Sequence, residues 1–111
     1  MPRCRILHVL FEKSERQIMK AYNFYSDAGH GWLRVKLNEL DRLGIVEDIT
    51  MFSYLFADIA YLEEDCDLAT FMRAKQAAGE TVEINEIHVG GNSVIRVYDT
   101  YTVESATAAL D

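Results

Sequence analysis

The chain has 111 residues, half of them apolar, with one proline, which bounds it to a single compact domain over 1–111 with one core. Eighteen acidic side chains against eleven basic ones give a net charge of −7, which argues against direct nucleic-acid binding, because phosphate recognition needs a basic face. No apolar run approaches the roughly 18 residues of a membrane span, and the N-terminus Met1-Pro2-Arg3-Cys4-Arg5 lacks the apolar run of roughly 7 to 15 residues and the small-residue cleavage site of a secretory signal, so the expectation is a cytoplasmic domain with no membrane partner.

Cys4 and Cys66 stand far apart with no C-x-x-C spacing, which reads as free thiols in a reducing compartment. Residues 1–20 carry five bases (Arg3, Arg5, Lys13, Arg16, Lys20) and two acids, whereas 58–67 carry Asp58, Glu63, Glu64, Asp65 and Asp67 with no base among them. One surface is therefore expected to be distinctly negative.

In chain order, Arg5 to Phe11 is an apolar run of strand length. Residues 12–20 fit a helix, with Ser14 and Gln17 at capping-box spacing, but the aromatic alternation that follows leaves helix or strand open there. Residues 20–25 read as a strand carrying Tyr22 and Phe24. Ser26 to Gly31 is a loop, and Trp32 to Lys36 alternates as the second arm of a hairpin. Leu37, Leu40 and Leu43 recur at helical spacing and close on Gly44, with Ile45 placed to pack back. Thr50 to Phe56 and Asp58 to Leu62 form a second strand pair. Leu68, Phe71 and Met72 lead a second helix stopped by Gly79 and capped by Asp65 or Asp67. Thr81 to Val89 and Ser93 to Thr102 read as two strands joined in a hairpin at Gly90-Gly91-Asn92, with a bulge near Asn85-Glu86 where the alternation slips. The tail Val103 to Asp111 is small and weakly amphipathic, with a tendency to fray. The fold class expected is α+β, a mainly antiparallel sheet built from hairpins with two or three short helices on one face.

Two segments concentrate unusual residues: Tyr25-Ser26-Asp27-Ala28-Gly29-His30-Gly31-Trp32 and Tyr61-Leu62-Glu63-Glu64-Asp65-Cys66-Asp67. Together with Leu43-Gly44-Ile45 and Ser53-Tyr54 they resemble a family of short, mostly uncharacterised bacterial proteins of prophages and plasmids, whose core runs Y-S-D-x-G-H-G-W, L-G-I, S-Y, Y-L-E-E-D-C-D. The resemblance covers about Lys20 to Asp67, leaves residues 1–19 as an extension, and implies a shared fold and a mobile-element setting without an activity. Where relatives tend to carry proline in the first motif, this chain has Ala28.

No glycine-rich phosphate loop, G-x-S-x-G elbow or H-E-x-x-H helix is present, so no cofactor is expected and an enzyme is the lesser expectation. The leading expectation is a small mobile-element protein that binds another protein with a basic surface, as an accessory or anti-defence inhibitor. Glu63, Glu64, Asp65 and Asp67 would supply an acidic face that imitates phosphates, and Tyr54 and Tyr61 would serve as anchors. The bland reading of the same acids is a solvated, capped helix start. The alternative is a small enzyme or a metal- or ligand-binding domain centred on Asp27, His30, Cys66 and the Glu63–Asp67 loop, since imidazole, thiol and carboxylate suit proton transfer or nucleophilic chemistry. Against it, His8 and His88 lie in strand patterns and offer no second histidine at ligand spacing, so no metal is expected; Asp27 also suits a turn and Cys66 a buried apolar role. The edge of the last hairpin is a candidate for homodimerisation by sheet extension.

Overall fold

The computed structural model describes residues 19–111. The expectations for Cys4, His8, the Arg5–Phe11 strand and the helix from Glu12 fall largely or wholly outside those residues. The architecture is α+β: six strands in the order β5-β1-β2-β4-β3-β6, with short helices packed on one face.

Strand β1 (Met19–Ser26) turns into β2 (Gly31–Lys36), paired antiparallel at Phe24↔Leu33 to Ser26↔Gly31. Alternation sends Tyr22, Leu33 and Val35 into the main core and leaves Tyr25 and Trp32 on the opposite face. Helix α1 (Leu37–Arg42) follows without a linker. Its end is the one expected: Gly44 sits at φ 74°, and the Ile45 amide donates to the Leu40 carbonyl at 3.0 Å, so the left-handed glycine lets Ile45 fold back into the core. Strands β3 (Tyr54–Phe56) and β4 (Ile59–Glu63) form the second hairpin, and β4 pairs with β2 over five positions. Helix α2 (Asp67–Ala77) then leads to β5 (Thr81–His88).

The C-terminal third departs from the sequence reading. Strand β5 pairs with β1 in parallel, in unbroken register from Met19↔Thr81 to Ser26↔His88, so there is no bulge at Asn85-Glu86. Its expected hairpin partner instead forms a 3₁₀ turn (Val94–Val97) and a two-residue strand β6 (Asp99–Thr100), which pairs with β3 at the far end of the sheet. The final hairpin is therefore absent, and its two halves stand at opposite edges of the sheet, β5 at one and β6 at the other. The tail is helix α3 (Val103–Leu110), capped by Thr102 Oγ1 accepting the Ser105 amide at 3.1 Å, with Ala106 fully buried. Tyr101 fixes it in place: its ring is fully buried and its hydroxyl donates to the Val46 carbonyl at 2.6 Å.

The main core joins Leu33, Leu37, Leu40, Leu62 and Phe71, each fully buried, and each such side chain contributes roughly 1.5–3 kcal/mol of apolar transfer. A buried ionic network ties the helices to the sheet. Glu39 accepts from Lys75 Nζ at 2.7 Å and from the Tyr22 hydroxyl at 2.6 Å, and Lys75 also donates to Glu80 at 2.7 Å. Burial resists ionisation of Glu39, but the bonds from Lys75, Tyr22 and Lys20 outweigh it and bring its pKa down to about 2. Among the described residues no helix is long and apolar enough to cross a membrane.

Candidate functional site

The two motif segments meet at one end of the sheet, on the face away from the helices. Gly31 makes the approach possible: a Cβ there would run into the Phe24 ring and lie against the Glu64 carboxylate. Strand pairing sets Trp32 opposite Glu63. The result is a cleft of about 470 Å³, walled by Trp32 and Tyr54 and bordered by His30, Asp65, Cys66 and the Phe52 ring, with Arg96 at its side.

Asp27 does not open onto this cleft as a free carboxylate. Its Oδ1 accepts the Gly29 and His30 amides, each at 3.0 Å, which closes the loop. Arg96 then clasps it from two sides, Nε to Oδ2 at 2.7 Å and Nη2 to Oδ1 at 2.8 Å, while the Ser93 amide adds 2.9 Å to Oδ2. The Arg96 bonds, then the Ser93 amide, hold the Asp27 carboxyl well below the usual carboxylate range. Asp27 is thus a positioning residue that anchors the segment after β5 to the β1–β2 loop. The Arg96 guanidinium in turn lies 5.2 Å from the Trp32 ring centre, a cation–π contact in the cleft wall.

The acidic run divides into spent and available groups. Glu63, rather than Asp65 or Asp67, caps α2: its carboxylate accepts the amides of Asp65 at 2.7 Å, Cys66 at 2.6 Å and Asp67 at 2.9 Å. Asp67 is fully buried. Its carboxylate accepts the Thr50 amide at 3.1 Å, the Thr50 hydroxyl at 2.8 Å and the Ser53 hydroxyl at 2.6 Å. Glu64 and Asp65 are exposed. Tyr54 is half-buried in the cleft wall, and Tyr61 is only 8% exposed, packed under the Tyr25 and Tyr98 rings.

The buried Asp67 explains the most exposed apolar feature nearby. By gripping Thr50 and Ser53 it holds the turn between them, where a strand was expected from Thr50, and this turn presents Met51 at 69% and Phe52 at 72% exposure. His30 and Cys66 are both exposed at the cleft. Among the described residues, no group of three or more His, Cys, Asp or Glu side chains is arranged to hold a metal ion. Sequence reasoning missed Arg96, which sat inside an expected strand, and Met51, whose exposure depends on the bonds from Thr50 and Ser53 to the distant Asp67. No protein-family model, no curated protein and no solved structure matches the chain.

Proposed function

We propose that the protein acts by binding another protein with a basic surface, as an accessory factor or anti-defence inhibitor of the mobile-element type. The observation that carries this reading is the Met51–Phe52 tip, two large apolar side chains about 70% exposed on a turn fixed from beneath by Asp67. A rigid apolar anchor beside free charge is how small interfaces concentrate affinity. Asp65 lines the same cleft as Phe52 and, with the exposed Glu64 beside it in sequence, supplies the steering for a basic partner. Glu63 and Asp67 serve the scaffold, and Tyr54 lines the recess beside the anchor.

The test is affinity capture from lysate of the source cell with tagged protein, washed at low and high salt. A stoichiometric partner lost with Phe52→Ala, and weakened at high salt or by Glu64→Lys with Asp65→Lys, is the expected result. Capture that survives all of these changes would sink the reading.

The cleft also supports a second reading, a small-ligand or acid–base site, because His30 and Cys66 line the same recess as Asp65. That reading requires His30→Ala and Cys66→Ser to abolish capture of a small molecule while leaving partner capture intact.

A further inference from the structure

A second recess lies on the same sheet face. Three tyrosine rings line it in a row, with centre separations of 6.3 Å from Tyr25 to Tyr61 and 5.2 Å from Tyr61 to Tyr98, and Phe56 extends the row beyond the recess at 4.7 Å from Tyr98. The segment after β5 is tied back over one end of the row by the Val89 amide donating to the Ser26 carbonyl and the Ser93 amide donating to Asp27, both at 2.9 Å. Between segment and rings is a groove of about 410 Å³.

Its lining is uncharged. The Tyr25, Tyr61 and Tyr98 rings face Val89, Val94 and Ile95, with Asn92 and Ser93 as the further polar contributors. The hydroxyls retain donor capacity: Tyr25 OH accepts from Asn23 Nδ2 at 3.3 Å and Ser93 Oγ accepts the Ile95 amide at 3.2 Å, so each keeps its own proton to give. The Asn23 amide is itself oriented by Asn85 Nδ2 at 3.2 Å.

We propose that this groove binds a neutral planar heteroaromatic molecule, a free nucleobase or nucleoside. Flat rings stack on tyrosine, and ring nitrogens and exocyclic oxygens match the hydroxyl and amide groups. The lining itself holds no Lys, Arg or His, Arg34 opposite Tyr61 on β2 is engaged with the Tyr61 side chain, and the chain's charge of −7 disfavours phosphate. The volume lies within the usual range for a small-molecule recess.

The experiment is an NMR titration of the full chain with adenosine and cytidine, and in parallel with AMP, a short single-stranded RNA and p-cresol. Saturable shifts at Ile87, Asn92, Val94 and Tyr98, with a nucleoside binding more tightly than AMP, the RNA and p-cresol, support the site. Tyr25→Leu is expected to weaken nucleoside binding roughly ten- to one-hundred-fold. Val94→Trp, at a position 62% exposed and therefore safe for folding, should block the groove to a similar degree. A flat titration, tighter binding of AMP or RNA than of nucleoside, p-cresol matching the nucleosides, or full binding by Val94→Trp would each overturn the proposal.

Discussion

Replacing Asp67 by Asn tests whether a buried carboxylate builds the presenting turn. The side chain is fully buried and takes three donor groups, the Thr50 amide, the Thr50 hydroxyl and the Ser53 hydroxyl, at 2.6 to 3.1 Å. Asn keeps the shape but loses the charge, and its NH₂ group must face at least one of those donors. Each charge-assisted bond contributes about 1.5–3 kcal/mol and a neutral one about 1, so three weakened or lost bonds amount to about 3 kcal/mol. At a slope of about 1.5 kcal/mol per molar urea, the unfolding midpoint falls by roughly 2 M. The chain has one tryptophan, Trp32, buried at 3%, so its emission reports the transition directly. Amide hydrogen exchange supplies the local readout: Thr50, and Glu63 whose amide donates to Ser53 Oγ at 3.0 Å, should both lose protection. A midpoint shift below about 0.3 M with unchanged exchange at Thr50 would refute the claim that Asp67 holds the Met51–Phe52 turn.

Acid should destabilise the fold through Glu39. Its folded pKa of about 2 lies below its ordinary 4.5, so the stabilisation is complete above about 4.5 and is lost as pH falls from there to 2; at 1.36 kcal/mol per unit this is about 3 kcal/mol. Urea midpoints at pH 7 and 2.5 should therefore differ less in Glu39→Gln than in the parent, with the remainder assigned to Asp27 and Glu80, which are also depressed; an identical acid loss in the variant would contradict this. Gly31→Ala should cost about 1–3 kcal/mol in chemical denaturation, because the added methyl meets the Phe24 ring, and a neutral result would show that the ring can withdraw. Ala57 sits at φ 55° in the β3–β4 turn, so Ala57→Gly should raise stability by about 0.5 kcal/mol, the relief of left-handed strain less the added entropy of the unfolded chain; a lower melting temperature would count against it.

The elements that the sequence made legible are those decided by near neighbours. Tyr22 and Phe24 alternating with Asn23 and Tyr25 gave β1, and Leu37, Leu40 and Gly44 gave α1 with its glycine stop. Gly90-Gly91-Asn92 misled because it satisfies the local requirements of a hairpin, while the pairing that wins, β5 with β1, joins residues about sixty apart. No turn residue encodes such a partner; it is set by where α2 lays the chain. The short β6 was hidden for the same reason, since its two residues borrow their strand character from β3. In the site, residue types alone grouped the His30 loop with the Glu63–Asp67 loop without placing either on the sheet, and the fold brings His30, Glu63, Asp65 and Cys66 to one cleft. The capping assignment failed on degeneracy: Glu63, Asp65 and Asp67 all stand within reach of the same amides, and only the fold decides that Asp67 turns inward to Thr50 and Ser53.

That division of the acidic run separates stability from recognition. Within the two motif segments, the carboxylates that complete a hydrogen-bonded frame, Asp27, Glu63 and Asp67, are satisfied by amides, hydroxyls or Arg96 and have little charge left to project. The ones that remain, Glu64 and Asp65, are exposed, and their field adds to the overall charge of −7. Exposed acids steer a partner but hold it weakly, because about 8 to 10 Å of salt solution screens them. The holding has to come from area removed from water, and the exposed apolar area at this cleft is Phe52, with Met51 next to it on the same turn. A buried acid that shapes the anchor and surface acids that draw the partner to it therefore form one device, in which Asp67 acts on binding only through the geometry of the turn.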